Sequence, residues 1–206
     1  MHLYFVRHGE TELNRQGAYY GAYDVPLTER GREQAKNVGK ALKDIHFDAI
    51  YVSDKCRTQE TARLLLLENG SPACRLKVMP ELAEINFGCF EGLTNRQVQE
   101  RFPKLYERWC ADWLDTVLDG GESFSMFFDR VRRAFEQILA GHTSAEDEEN
   151  VLICAHNGTL RVLFAVMCGL APLGTWHFNF EQDTYSLADY EWGNFTIRKI
   201  NAGSGI

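Results

Sequence analysis

The sequence predicts a single three-layer α/β domain: a mostly parallel sheet with helices on both faces and an antiparallel edge. Three observations carry this. Short, predominantly apolar runs at residues 3–6, 47–53 and 151–155 have the length of buried strands. Segments with helical spacing follow each of them, the order of a βαβ sheet. Two closing segments around Gly193-Asn194 read as a β-hairpin. The 206 residues suit one domain with an insertion and would cramp two.

Composition narrows the function. Hydrophobic residues make up 45% and charged residues 25%, so the chain can bury a core and is not disordered, collagenous or coiled-coil. The 29 acids and 22 bases give a net charge of -7. That sign argues against a nucleic-acid partner bound over a broad basic face, so any anion site must be local. Cys56, Cys74, Cys89, Cys110, Cys154 and Cys168 form no Cys-x-x-Cys pair. Reduced, buried thiols are expected rather than a zinc knuckle or redox dithiol. Four apolar residues before Arg7 are too few for a secretion signal, which points to the cytoplasm. The longest stretch without Asp, Glu, Lys or Arg, residues 162–180, is broken by Gly169, Pro172 and Gly174. It reads as a buried helix and its exit loop, so no membrane partner is expected. No heptad or exposed stripe encodes an oligomeric state.

Taken in order, residues 3–6 form a buried strand that delivers Arg7, His8 and Gly9 to its carboxyl end. Thr28 caps a helix whose apolar face is Ala35, Val38, Ala41 and Leu42. Residues 47–53 make the second strand, and residues 57–67 a helix stopped by Asn69-Gly70-Ser71-Pro72. Residues 75–79 make a third, short strand. Residues 94–115 mix polar positions with Val98, Phe102, Leu105, Trp109 and Trp113, which suits short helices capping a site. The whole capping insertion spans residues 94–119. An amphipathic helix over 123–139 packs Phe124, Phe127, Phe128, Val131, Phe135, Ile138 and Leu139 into the core. The acidic run 146–149 is a solvated loop before strand 151–155, His156-Asn157-Gly158 and an apolar helix to Cys168. Strands 186–192 and 195–200 flank the hairpin turn, and the tail 201–206 frays. His46 and His142 read as surface residues, and His177 as packing near the site.

Three strands end in polar residues: Arg7-His8 after the first, Ser53 to Arg57 after the second, His156-Asn157-Gly158 after the late one. Ligands bind beyond the carboxyl ends of such strands, so two arginines and two histidines converge on one small cationic cavity. Two guanidinium forks match the oxygens of phosphate, and imidazoles donate to those oxygens or attack phosphorus. The helix opening at Gly158 would add backbone N–H donors to the same anion. No Lys-containing Gly-rich nucleotide loop is present, which argues against ATP. A small-molecule phosphate monoester is the expected partner, with no metal and no cofactor, since the pocket carries its own cations.

Further motifs occur in order over nearly the whole chain. They are Arg7-His8-Gly9-Glu10-Thr11 with Asn14, Pro26-Leu27-Thr28 with Gly31, and Ser53 to Arg57 with Thr61-Ala62. Leu82-Ala83-Glu84 follows with Phe87-Gly88 and Glu91-Gly92, then Gly121-Glu122-Ser123 and His156-x-Gly158. In these the sequence resembles the histidine phosphatase superfamily, which includes cofactor-dependent phosphoglycerate mutase. The resemblance implies a phosphoglycerate mutase-like fold and His8 as the nucleophile that becomes phosphorylated. It also implies that Arg7, Arg57 and His156 bind the phosphoryl group and that Glu84 is the proton donor. A histidine after a strand is, by itself, more often a loop donor; the constellation carries the nucleophile reading. Glu81 and Glu91 compete with Glu84, and only the Leu-x-Glu-x-x-x-Gly context selects the latter. Asn14 either contacts phosphate or stabilises a turn. Burial raises the pKa of Glu84 while guanidiniums lower it, a balance the sequence leaves open.

Compared with the mutases, the chain is short between the acid-bearing segment and the second histidine. That favours a phosphomonoesterase over a phosphoglycerate mutase-type phosphotransferase. Trp109-Cys110 with Asp112-Trp113, the Gly121-Glu122 turn, Trp176-His177-Phe178 and the closing hairpin to Asn201 resemble the α-ribazole phosphatases. This implies removal of the 5′-phosphate of α-ribazole phosphate in cobalamin nucleotide-loop assembly. Trp109 or Trp113 then stacks on the base or belongs to helix core. A broad-specificity sugar or metabolite phosphatase and an inactive phospholigand-binding module are the remaining readings. Two features depart from the family: Asn157 replaces a second small residue, and residues 21–24 lack the polar substrate contact of the mutases.

Overall fold

Side chains alternate across a strand, and in this chain the alternation divides the core in two. The computed structural model describes residues 1–71, 74–142 and 149–203. Strand β1 (His2–Arg7) lies between β4 (Asn150–Ala155) and β5 (Tyr185–Glu191), with β2 (Ala49–Val52) and β3 (Leu76–Val78) beyond β4. Strand β6 (Asn194–Ala202) closes the far edge, giving the order β3-β2-β4-β1-β5-β6. Strands β1 to β4 run parallel, whereas β5 and β6 are antiparallel.

On one face Leu3, Phe5, Tyr51, Val151 and Ile153 pack with Phe127, Val131 and Phe135 of α6 (Phe124–Ala140) and with Leu163 and Phe164 of α7 (Asn157–Met167). On the other, Tyr4, Val6, Ile50, Val52, Leu152 and Cys154 meet Val38 of α2 (Glu29–Ala41) and Leu65 and Leu66 of α3 (Cys56–Asn69). Central strands buried on both faces are what continuous apolar runs require. Between β3 and α6 lie two short helices, α4 (Asn95–Arg101) and α5 (Pro103–Ala111). Thr28 caps α2 by accepting from Gly31 N at 3.1 Å, and Ser123 caps α6 by accepting from Met126 N at 3.2 Å.

Several details depart from the sequence reading. A helix of five residues, α1 (Glu12–Gln16), follows β1, started by a capping box between Thr11 and Asn14. The hairpin turns on Trp192-Gly193, at φ 48° and 82°, so Asn194 is already in β6. Two positive φ values match the strand twist, but tryptophan is an unusual occupant, and this one is 93% exposed. The expected fraying is absent at Asn201 and Ala202, which belong to β6. Asn201 Oδ1 accepts from Glu181 N (3.0 Å) and its Nδ2 donates to Asn179 O (2.9 Å). His142 is not a surface residue: its side chain is 6% exposed, sandwiched between the Glu149 carboxylate (2.7 Å) and the Tyr51 hydroxyl (3.0 Å). His177 is exposed rather than packed. All six thiols are free, but only Cys154 is buried, and Cys110 and Cys168 lie at the surface. Pro72, residues 146–148 of the acidic run and residues 204–206 of the tail lie outside the described residues. No described helix is long and apolar enough to cross a membrane.

Candidate active site

The β1–β4 register pairs Val6 with Cys154 and Arg7 with Ala155, so both strands end level and hand His8 and His156 to the same edge. His8 N extends the ladder by donating to Ala155 O at 2.9 Å. The two imidazoles stand 5.1 Å apart between ring centroids and are 3% and 1% exposed. His8 Nδ1 lies 2.7 Å from Gly9 O; a carbonyl only accepts, so Nδ1 carries the proton and Nε2 keeps its lone pair. His156 takes the opposite tautomer. Its Nδ1 accepts from Arg57 Nε at 3.3 Å and its Nε2 donates to Ser53 Oγ at 2.9 Å, bringing in the end of β2. Burial first, and the guanidiniums second, push both imidazole pKa values well below the usual histidine range. Both rings are therefore neutral at pH 7.

Arg57 is fully buried near the start of α3, and its charge is met by backbone. Nη1 donates to Tyr23 O at 2.7 Å and Nη2 to Gly21 O at 3.1 Å. The guanidinium also sits 4.7 Å over the ring of Tyr20. The loop supplying those carbonyls is built on Glu91, whose buried carboxylate accepts from Gly21, Ala22, Tyr23 and Phe87 N–H groups at 2.8 to 3.1 Å. Glu91 is thus used up as an anchor, and Glu81 is exposed, which removes both competitors for the acid position. Arg7 Nη1 donates to Phe180 O at 2.8 Å. Phe180 N in turn donates to Asn157 Oδ1 at 3.1 Å, so the departure at Asn157 has a structural use: it ties the start of α7 to the segment that holds Arg7.

Glu84 approaches the imidazoles from the side of α7. Its Oε2 accepts from Gly158 N at 2.8 Å and its Oε1 from Ile85 N at 3.0 Å. Glycine at 158 leaves the room that the carboxyl occupies, since a Cβ there would lie 2.2 Å from Glu84 Oε1 and displace it. The helix amide expected to face the phosphoryl group is therefore committed to the Glu84 carboxylate. The carboxyl retains some accessible surface yet lies deep among protein atoms. Burial raises its pKa; the two amides and then Arg57 and Arg7 pull the other way and do not offset it. The balance left open by the sequence falls on the side of burial, which holds the Glu84 pKa above the ordinary carboxyl value.

Asn14 does serve the turn: its Oδ1 accepts from Thr11 N (3.1 Å) and from Gln182 Nε2 (3.0 Å). Those bonds engage Oδ1 alone, and Nδ2 is a separate donor. Beside Glu84 and Gly158 opens a cavity of about 260 Å³ lined by Phe87, Trp109, Trp113, Phe124, Trp176 and Arg161, among others. All three tryptophans singled out in the sequence reach it. Trp113 meets Trp176 edge-on at 5.5 Å, while Trp109 also packs in a small core with Phe90 and Tyr106. Arg161 escaped the sequence reading. Its guanidinium lies 5.3 Å over the Trp176 ring, and Nη2 donates to Asn179 Oδ1 at 2.9 Å. The available signal was its standing as the one charged residue in α7, four residues from Asn157. Tyr20, whose hydroxyl pairs with Thr11 Oγ1 at 2.7 Å, also escaped, with no signal beyond proximity in sequence to the first motif. Among the described residues, no three His, Cys, Asp or Glu side chains converge as a metal-ligand set.

Comparison with known proteins agrees with this geometry. The model of the histidine phosphatase superfamily (branch 1) matches residues 3–203. The chain is 35% identical to the adenosylcobalamin/α-ribazole phosphatase of Escherichia coli, over 98% of this chain and 96% of that one. It is 30% identical to phosphoserine phosphatase 1 of Hydrogenobacter thermophilus, over 97% and 91% respectively. The crystal structure of the α-ribazole phosphatase from Shigella flexneri superposes with a TM-score of 0.91 at 34% identity, covering 100% of this chain and 99% of that one. With the family model spanning nearly the whole length and the paired imidazoles and arginines at one sheet edge, the chain belongs to the histidine phosphatase superfamily, branch 1.

Proposed function

We propose that the protein is a phosphomonoesterase working through a phosphohistidine, with α-ribazole 5′-phosphate as its substrate. One observation carries the chemistry: a buried imidazole, His8, kept neutral and locked by Gly9 O with Nε2 unprotonated, beside two guanidiniums. Arg7, Arg57 and the Nδ2 of Asn14 hold the phosphoryl oxygens, and His156 joins them when the bound dianion favours a proton on its Nδ1 in place of the contact from Arg57 Nε. His8 Nε2 forms the bond to phosphorus as the ester P–O bond breaks, and Glu84 gives its proton to the departing alkoxide. Water then attacks phosphorus, Glu84 takes the proton back, and the N–P bond breaks to release phosphate and restore His8. Fixed donors around the oxygens supply the electrostatic stabilisation that phosphoryl transfer needs.

The substrate rests on the cavity beside Glu84, where the leaving alcohol must lie. Its walls of Trp109, Trp113, Trp176 and Phe124 suit a flat aromatic base. Residues 94–119 act as the cap of this cavity, contributing Trp109 and Trp113. The full-length similarity to phosphatases bearing the α-ribazole name supports the same assignment.

Five outcomes test this reading. In the presence of chelator, a panel of α-ribazole 5′-phosphate, phosphoserine, phosphoglycerates and an aryl phosphate should show phosphate release, fastest from the first. His8→Ala should abolish it on every ester; turnover retained in that variant, or, in the unmodified protein, isomerisation without free phosphate or binding without turnover, each contradicts the proposal. On an alkyl ester, kcat/KM should fall as pH rises through the elevated pKa of Glu84, because the ionised acid cannot protonate the alkoxide. His8, with its lowered pKa, should keep the acidic limb below pH about 6.5. Glu84→Gln should cost about 10²- to 10⁴-fold and remove the alkaline fall; a profile unchanged in that variant refutes the acid role. Trp113→Ala and Trp176→Ala should each raise KM for α-ribazole 5′-phosphate about tenfold while sparing a small ester, a split that a purely structural role would not produce.

A further inference from the structure

Gly121-Glu122-Ser123 and Arg130 of α6 lie behind the acid. Residues 83–87 run between short helical turns at Pro80–Leu82 and Gly88–Phe90 and have no ladder of their own, so their backbone groups need partners elsewhere. Alongside Thr159 Oγ1, which donates to Ala83 O at 3.2 Å, Arg130 provides several of them. Its Nη1 donates to Glu81 O at 2.7 Å and Ala83 O at 3.1 Å, and its Nη2 reaches Glu84 O at 3.5 Å. Glu122 grips the same guanidinium, accepting from Nη2 at Oε1 (2.6 Å) and from Nε at Oε2 (3.2 Å). That Oε1 also accepts from Asn86 N at 3.1 Å, and Glu122 N donates back to Asn86 O at 3.1 Å. Gly121 makes the close approach possible, since a Cβ there would lie 2.5 Å from Asn86 O. Both charges are sheltered, at 23% and 15% side-chain exposure. One ion pair therefore holds the acid-bearing segment on both sides of Glu84.

We propose that Arg130 and Glu122 are positioning residues that fix the Glu84 carboxyl for proton transfer to the leaving oxygen. The inference rests on Glu84 being the acid. A planar fork serves three carbonyls and a carboxylate at once, which an ammonium cannot do. Among the described residues, the Glu84 carboxyl is otherwise held by the amides of Gly158 and Ile85 alone, so its placement depends on where the backbone of residues 83–86 is pinned. Proton transfer requires hydrogen-bond reach, and a small displacement is heavily penalised.

Arg130→Lys and Glu122→Gln in the full chain test this, each assayed on α-ribazole 5′-phosphate and on 4-nitrophenyl phosphate. The second ester departs without needing a proton, and kcat/KM covers only the steps up to phosphorylation of His8. On the alkyl ester kcat/KM should fall about 100-fold in Arg130→Lys and by a similar factor in Glu122→Gln. On the aryl ester both variants should stay within about threefold of the parent, which also reports an intact fold. Equal losses on both esters, loss of folding in both variants, or no loss on either ester would overturn the positioning role. Glu84→Gln run alongside separates the two ideas: if it lacks the same ester-selective loss, the acid assignment itself fails, whatever Arg130 and Glu122 do.

Discussion

Everything at this site depends on the parallel pairing of β1 with β4. With Arg7 opposite Ala155, residues 148 positions apart in the chain leave the sheet side by side, and His8 completes the ladder through Ala155 O. A slip of one residue would turn Leu3, Phe5, Val151 and Ile153 from one core layer to the other. The hydrophobic layers therefore set the register, and the register sets the spacing of the imidazoles. Packing far from the chemistry determines the geometry of the chemistry.

Burial then decides the charge states. Two histidines placed among guanidiniums and out of water are neutral, with each tautomer dictated by one acceptor, Gly9 O for His8 and Ser53 Oγ for His156. The guanidinium of Arg57 stays charged in the interior because Gly21 O and Tyr23 O accept from it. Those carbonyls are presented by a loop that has no regular structure and is organised by Glu91. The same logic recurs around Glu84, where Arg130 and Glu122 replace a ladder. In both cases a sheltered charge organises irregular backbone, which in one supplies the carbonyls that hold Arg57 and in the other carries Glu84.

Much of this was legible in the sequence. The three apolar runs give the central strands, and polar residues at their ends place Arg7, His8, Ser53, Arg57 and His156 at one edge, where the structure has them. What escaped depended on three-dimensional detail that periodicity does not encode. Arg161 sits in a helix whose apolar pattern it barely interrupts. Glu91 resembled a rival acid because a sequence does not count N–H donors around a carboxylate. His142 appeared free because its partners, Tyr51 and Glu149, come from β2 and from the residue just before β4. The hairpin turn was misplaced by one residue because a tryptophan with positive φ breaks the usual Asn-Gly rule.

The chemistry proposed for this site turns on a covalent bond from the neutral imidazole at the end of β1 to phosphorus. Rapid quenching during turnover of a phosphorus-labelled ester, followed by peptide mapping under conditions that preserve phosphoramidates, addresses it directly. A transient, acid-labile phosphoryl group on Nε2 of His8 is the expected result. Label on His156, or full turnover with no labelled protein at any time point, would contradict it.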